Sequence, residues 1–263
     1  MHEGIFVAAS GAYKQERVLA VITNNLANVN STGFKRDGLV FKEILSPFEG
    51  DLHLDESREV LLSMEEANPS ASYVAITEFY TDQRAGSQNP TGNSLDLAIE
   101  GEGYFAIQAN DGIRYTRNGN FSLNQNGEIV NNQGFPLLNK SKQPIKLDSR
   151  GGEIAIDSSG NIFVGRGLTN KPSGKVYLAR FSDQSLLQKE GGAMYSWTGP
   201  PTGEQAVENP NIRQGFLEGS NVNAVQEMSR LILSVRAFET YQKIIQTIDS
   251  ADERSVNNIG RVV

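Results

Sequence analysis

The sequence predicts an α+β protein. A long helix at each chain end contributes to a coiled-coil-like domain, and the middle folds as an antiparallel β-rich domain. Three observations carry this. Apolar residues recur at 3-4 spacing through the first thirty positions. The same rhythm returns near the C-terminus. Between them, Asn-Gly and Asp-Gly turn signals punctuate short alternating runs.

The first helix follows from Ile5, Ala8, Ala12, Gln15, Leu19, Ile22, Leu26 and Val29, a heptad seam with a single polar member. Asn30-Ser31-Thr32-Gly33 stops it, because Asn and Gly tolerate the left-handed conformation that ends helices. The last helix opens at Asn223, with Gln226 placed as its capping partner. Met228, Leu231, Val235, Phe238, Gln242 and Ile245 form its seam, and Ile232, Ile244 and Ile248 widen the stripe. The two seams match and are expected to pair.

The middle reads as strands near 95–99, 104–108, 114–117, 121–123, 128–130, 135–138, 145–147, 153–156, 161–164 and 175–181. Turns are expected at Asn110-Asp111-Gly112, Asn118-Gly119, Asn126-Gly127 and Asn132-Gln133-Gly134. No helical segment intervenes, so parallel β-α-β units are excluded and a sandwich or barrel is expected. Five segments result: an N-terminal helical segment 1–35, an extended connector 36–94 with an acidic tract over 46–70, a β-rich domain 95–181, a second connector 182–219, and a C-terminal helical segment 220–263.

Composition removes several function classes. Acidic residues number 31 against 24 basic ones, a net charge of −7 that speaks against nucleic-acid binding. Cysteine is absent, which excludes disulfides, thiolate metal sites and a cysteine nucleophile. His2 and His53 are the only imidazoles, too few for a multi-histidine metal centre. No apolar run approaches the ~20 residues of a membrane span, so no direct membrane insertion is expected. Ile5-Phe6-Val7-Ala8-Ala9 has Glu3 where a signal peptide carries basic residues, and it continues into a helical pattern.

The apparent chemical motifs fail on their geometry. Gly101-Glu102-Gly103-Tyr104-Phe105-Ala106 fits a dinucleotide fingerprint, but no helix opens after it, and a glycine-bent corner between strands is expected. Gly167 to Lys175 has the wrong spacing for a phosphate loop, and Val176 stands where a magnesium-binding hydroxyl belongs. Asp157-Ser158-Ser159-Gly160-Asn161 reads as an Asp-initiated turn rather than a calcium loop. Lys35-Arg36 reads as a solvent-facing basic pair. No nucleophile, base and oxyanion site assembles, so no catalytic residue, cofactor or metal is expected. One cluster exceeds the background. Asn24, Asn25 and Asn28 are mediocre helix formers sharing one stripe, and their amides serve either a partner helix or neighbouring backbone.

Four motifs then carry a family resemblance. Asn24-Asn25-Leu26-Ala27-Asn28 with Thr32-Gly33-Phe34-Lys35 resembles the N-terminal signature of bacterial flagellar axial proteins: rod, hook and hook-associated subunits. Ile99-Glu100-Gly101-Glu102-Gly103-Tyr104-Phe105 and Tyr115-Thr116-Arg117-Asn118-Gly119-Asn120-Phe121 are similar to their β-domain motifs. Leu217-Glu218-Gly219-Ser220-Asn221-Val222-Asn223 and Arg236-Ala237-Phe238-Glu239 resemble the C-terminal signature.

The length suits basal-body rod proteins of the FlgF and FlgG types. The acidic, Gly-poor 46–70 tract departs from the Gly-rich stretch of the distal-rod type and favours FlgF. The resemblance implies a structural subunit of a tubular drive shaft. Its partners would be copies of itself, other rod proteins and the flagellar type III export apparatus. It also implies a periplasm-spanning location reached without a cleaved signal. Assembly would run through Ile5, Ala8, Ala12, Leu19, Ile22, Asn24, Asn25, Leu26 and Asn28 on the first helix, and Met228, Leu231, Val235, Phe238 and Ile245 on the last. A distal-rod or hook-type subunit, or a secreted β-rich adhesin on a helical stalk, is the alternative.

Overall fold

The structure is a computed structural model, and it describes residues 2–45, 72–147, 152–166 and 169–259. The acidic tract expected over 46–70 lies outside the described residues. The chain divides into two units. One comprises Met1–Ala27, Asp37–Thr81 and Asn223–Val263; the other comprises Asn28–Arg36 and Asp82–Val222.

The first unit holds helix α1 (His2–Ala27), strands β1 (Asp37–Leu45) and β2 (Ser72–Thr81), and helix α2 (Ala224–Ile259). At ~1.5 Å per residue the helices are about 39 Å and 54 Å long. The expected cap forms: Asn223 Oδ1 accepts from the Gln226 backbone N–H at 3.0 Å. The helices pack on each other, with Ile248 against Gly4 and Tyr241 against Gly11. Seven residues forward on α1 is seven backward on α2, so the pair is antiparallel. β1 and β2 form an antiparallel ribbon with a bulge between Val40 and Phe41. Within it the Tyr80 ring covers Gly38, filling the gap left by the missing side chain.

The second unit is all β. Its largest sheet is antiparallel and six-stranded. In sheet order it contains β13 (Leu187–Glu190), β14 (Met194–Trp197), β6 (Gly112–Thr116), β5 (Tyr104–Ala109), β12 (Leu178–Phe181) and β15 (Glu204–Ala206). β9 (Glu153–Ile156), β10 (Asn161–Arg166) and β11 (Thr169–Lys175) form a second, three-stranded sheet. Three two-stranded pairs complete the unit: β7 (Phe121–Leu123) with β8 (Ile129–Asn131), β16 (Ile212–Gln214) with β4 (Leu97–Ile99), and β17 (Phe216–Glu218) with β3 (Gln88–Pro90).

β5 shows why the middle of the chain lacks a clean alternation there. Its side chains point to opposite faces in turn. Phe105 and Ile107 enter a core with Leu97, Ile99, Ile129 and Leu137. Tyr104 and Ala106 enter another with Tyr115, Leu138 and Tyr195. A strand buried on both faces reads as a continuous apolar run.

Segment 182–219, expected as a connector, contains β13 to β17 and closes the β unit. Each of these strands is only three or four residues long and has at most one fully buried side chain, such as Leu187, Tyr195 or Ile212, so no period marks them. The Gly167–Lys175 stretch likewise runs into β11.

The turn rhythm has a common device. The side chains of Asn124, Asn131, Asn139 and Asp157 each accept from the backbone N–H four residues on, at 2.9, 2.9, 3.1 and 2.8 Å. The residue three positions on takes positive φ: Gly127, Gly134, Lys142 and Gly160. The glycines were placed correctly, but the working Asx lies three residues earlier rather than next door. Asn118-Gly119 is different. It joins β6 to β7, which do not pair, and Gly119 has no positive φ. There the Leu97 carbonyl approaches so closely that a Cβ would sit 1.6 Å from its oxygen. Gly119→Ala is therefore expected to destabilise the β unit by at least about 3 kcal/mol, read from urea unfolding followed by the fluorescence of the single tryptophan, Trp197.

Candidate functional site: helix faces and a buried charge node

The helix pair selects a seam different from the most apolar one. On α2 the buried and half-buried positions Glu227, Leu231, Ser234, Phe238, Tyr241, Ile245, Ile248 and Asp252 form an unbroken 4-3 repeat, with Ala224, Arg230 and Ala237 half-buried beside it. Leu231, Phe238 and Ile245 lie on it, as expected. Val235 and Gln242 are displaced by Ser234 and Tyr241, and Met228 is also exposed. The physical reason lies on α1. Gly11 is buried, and a Cβ there would come within 2.4 Å of the Tyr241 ring. A large ring over a glycine and a small serine two turns away allow close approach, which hydrophobicity alone does not signal.

On α1, Ala8 and Ile22 are buried, and Ile5, Ala12, Leu19 and Leu26 are half-buried. Asn24 is exposed and Asn28 is half-buried, with its Oδ1 accepting from Ser31 Oγ at 3.0 Å. Asn25 is fully buried, and its amide serves neighbouring backbone. Nδ2 donates to Asp37 O and Oδ1 accepts from Asp37 N, both at 2.9 Å. It anchors the first residue of β1 and is thereby withdrawn from any face that a neighbour could touch.

Apolar surface remains outside the seam. Val225, Met228, Ile232 and Leu233 are 76%, 50%, 54% and 66% exposed. With Leu231 and Val235 they give the start of α2 a broad apolar face, flanked by Gln226, Ser229 and Arg230. Beyond Thr240 the outward residues are mostly polar: Gln242, Lys243, Gln246, Thr247, Asp249 and Ser250.

Inside the β unit, all four resemblance motifs supply residues to one node. Lys35, expected to face solvent, is fully buried. Its Nζ donates to Glu218 Oε1 at 2.5 Å and to the Arg84 carbonyl at 2.8 Å. Arg117 reaches Glu218 Oε2 at 3.4 Å and the Gly101 carbonyl at 2.9 Å, and its guanidinium lies 5.1 Å from the Tyr104 ring centre. Burial lowers the Lys35 pKa, and the Glu218 carboxylate opposes that shift. Gly101 and Gly103 have positive φ and form the corner expected between β4 and β5.

Asn221 gathers three chain segments beside this node. Its Oδ1 accepts from Arg36 N at 2.7 Å, and its Nδ2 donates to Asp82 O and Arg84 O at 2.8 and 3.0 Å. Gly33, at φ 68°, donates to Glu218 O at 2.7 Å, and a Cβ there would strike Asn118 N at 2.4 Å. Sequence reasoning missed Lys35, Arg117, Glu218 and Asn221 as a set. The available signal was charge inside each motif.

Among the described residues, no group of His, Asp and Glu side chains is arranged to hold a metal, and no helix is long and apolar enough to cross a membrane. The motif residues hold the chain's own strands together, which defines a structural protein built from a locked β unit and a helix pair with apolar surface to spare. The comparisons agree. Family models described as "Flagella basal body rod protein", "Flagellar hook protein FlgE/F/G D1 domain" and "Flagellar basal body rod FlgEFG protein C-terminal" match residues 5–35, 98–164 and 213–259. The flagellar basal-body rod protein FlgF of Mesorhizobium japonicum is 31% identical, with 99% of each chain covered. FlgF of Caulobacter vibrioides is 31% identical over the whole of both chains. FlgG of Bacillus subtilis is 30% identical over 98% of this chain and 99% of its own. The chain belongs to the FlgF/FlgG family of flagellar basal-body rod proteins. It is a structural rod subunit, and the stalked adhesin is not favoured.

Asn25→Ala would orphan a buried backbone donor and acceptor at the start of β1. It is expected to lower the stability of the helical unit by about 2 kcal/mol, seen as an earlier loss of helical circular dichroism. Gly11→Leu is expected to push α1 and α2 apart and shift the same transition downward, despite leucine's better helix propensity.

Proposed function

We propose that this subunit stacks with copies of itself and with other rod proteins into a tube that carries motor torque to the hook and encloses the export channel. The terminal segments 1–35 and 220–263 pair as a short antiparallel coiled coil and carry the assembling faces. A tube needs contacts that do not close on a dimer, so the faces used are heterologous.

The observation that carries this reading is the apolar first half of α2. Contiguous exposed apolar surface marks an interaction site. Val225, Met228, Ile232 and Leu233 have no interior within the described part of one chain. Neighbouring subunits supply it. The polar second half faces a wetter environment, as a channel lining would.

The subunit reaches the basal body through the flagellar type III export apparatus, without a cleaved signal peptide. Ile5 to Ala9 belonging to α1 supports this. The FlgF type is favoured by the acidic, Gly-poor sequence of 46–70.

Leu233→Asp is expected to abolish swimming while leaving the Trp197-reported unfolding of the β unit unchanged. Gln246→Asp, on the polar half, is expected to swim. Normal motility of Leu233→Asp at normal abundance would contradict the proposal.

A further inference from the structure

We infer that Glu218 gates the closure of the β unit, holding it open until the end of its last strand is in place. The argument starts from charge. Lys35 and Arg117 are both buried and share one carboxylate. Asp82 adds a weaker attraction on Lys35, but its carboxylate is bound to Arg84, with Nε at 2.9 and 3.0 Å from its two oxygens. Two cations against one carboxylate leave the node with more positive charge than it neutralises, and the Arg117 Nε–H has no hydrogen-bond partner among the described residues. Removing Glu218 would leave two cations out of water beside each other.

Topology makes this a gate rather than an ordinary ion pair. Lys35 precedes every strand of the β unit, and Glu218 ends its last one, 183 residues later. The same carboxylate receives the Gly86 N–H at 3.0 Å and so also orders the backbone that leads into β3. Gly86 in turn lies so close to the Gly219 carbonyl that a Cβ would be 2.0 Å from its oxygen. β17 then pairs with β3, and β16 with β4. A chain growing from its N-terminus has Lys35 and Arg117 but no Glu218 until the unit is almost complete. Burying either cation before then leaves an uncompensated charge, and incomplete chains stay open.

The gate predicts where the pair acts on the folding path. If closure waits for Glu218, its ion pairs are already formed in the transition state, so its loss slows folding rather than speeding unfolding. The test is stopped-flow refolding and unfolding of the full chain, followed by Trp197 fluorescence, which reports the β unit alone. Glu218→Gln is expected to slow refolding on the order of a hundredfold and to change unfolding by less than about threefold. Adding Lys35→Met, which removes one of the two cations, is expected to restore at least about tenfold of the lost rate. If Glu218→Gln does not fold at all, recovery of folding in the Lys35→Met/Glu218→Gln chain supports the gate, and continued failure overturns it. Unchanged refolding with faster unfolding would mean that the pair forms after closure, which also overturns it.

Discussion

Two cations and one carboxylate, all withdrawn from water, sit where the first and last segments of the β unit meet. Breaking such a node by removing one partner costs about 3–5 kcal/mol, because a charge is left buried without compensation. Much of the unit's order follows from satisfying it. Lys35 must lie beside Arg84, Glu218 must end β17, and Arg117 must lie within reach of the Gly101 carbonyl. The glycines around it serve the same end. Gly33, Gly86 and Gly119 each sit where a neighbouring backbone leaves no room for a side chain.

This separates the motif residues, which face inward, from the apolar side chains left exposed. Asn25, Lys35, Arg117, Glu218 and Asn221 all point into their own units and bind backbone or one another. They make a subunit that keeps its shape. The surface left for neighbours is chemically plainer: aliphatic side chains on the first turns of α2. Such surface is stabilised by whatever apolar partner covers it, at roughly 25 cal/mol per Å². A structural polymer needs both, an interior that resists deformation and an exterior that gains free energy on stacking.

The sequence made the helices, their ends and the β-rich middle legible. Periodicity reported α1 and α2 because each has one consistently covered side. It misplaced half the α2 seam, because packing there depends on the fit of Tyr241 to Gly11 and on the small Ser234, whereas a hydrophobic pattern prefers Val235. Strands β13 to β17 were illegible because strands of three or four residues with at most one buried side chain cannot show alternation. The Lys35 node was illegible for another reason. A lysine after a helix end is ordinarily solvated, and only the return of residue 218 reveals its partner. Asn25 was seen as unusual, and the choice left open between partner and backbone is resolved by its two bonds to Asp37.

In the rod as proposed, neighbouring subunits cover the apolar first half of α2 and leave the polar second half uncovered. The chain contains no cysteine, so single thiols can be placed without background. Leu233→Cys and Gln246→Cys chains, labelled with a small maleimide as dilute monomer and again within purified basal bodies, compare the two halves directly. The account expects both thiols to react in the monomer, and only Cys at 233 to become protected in the rod. Equal reactivity of the 233 thiol in monomer and rod would contradict it.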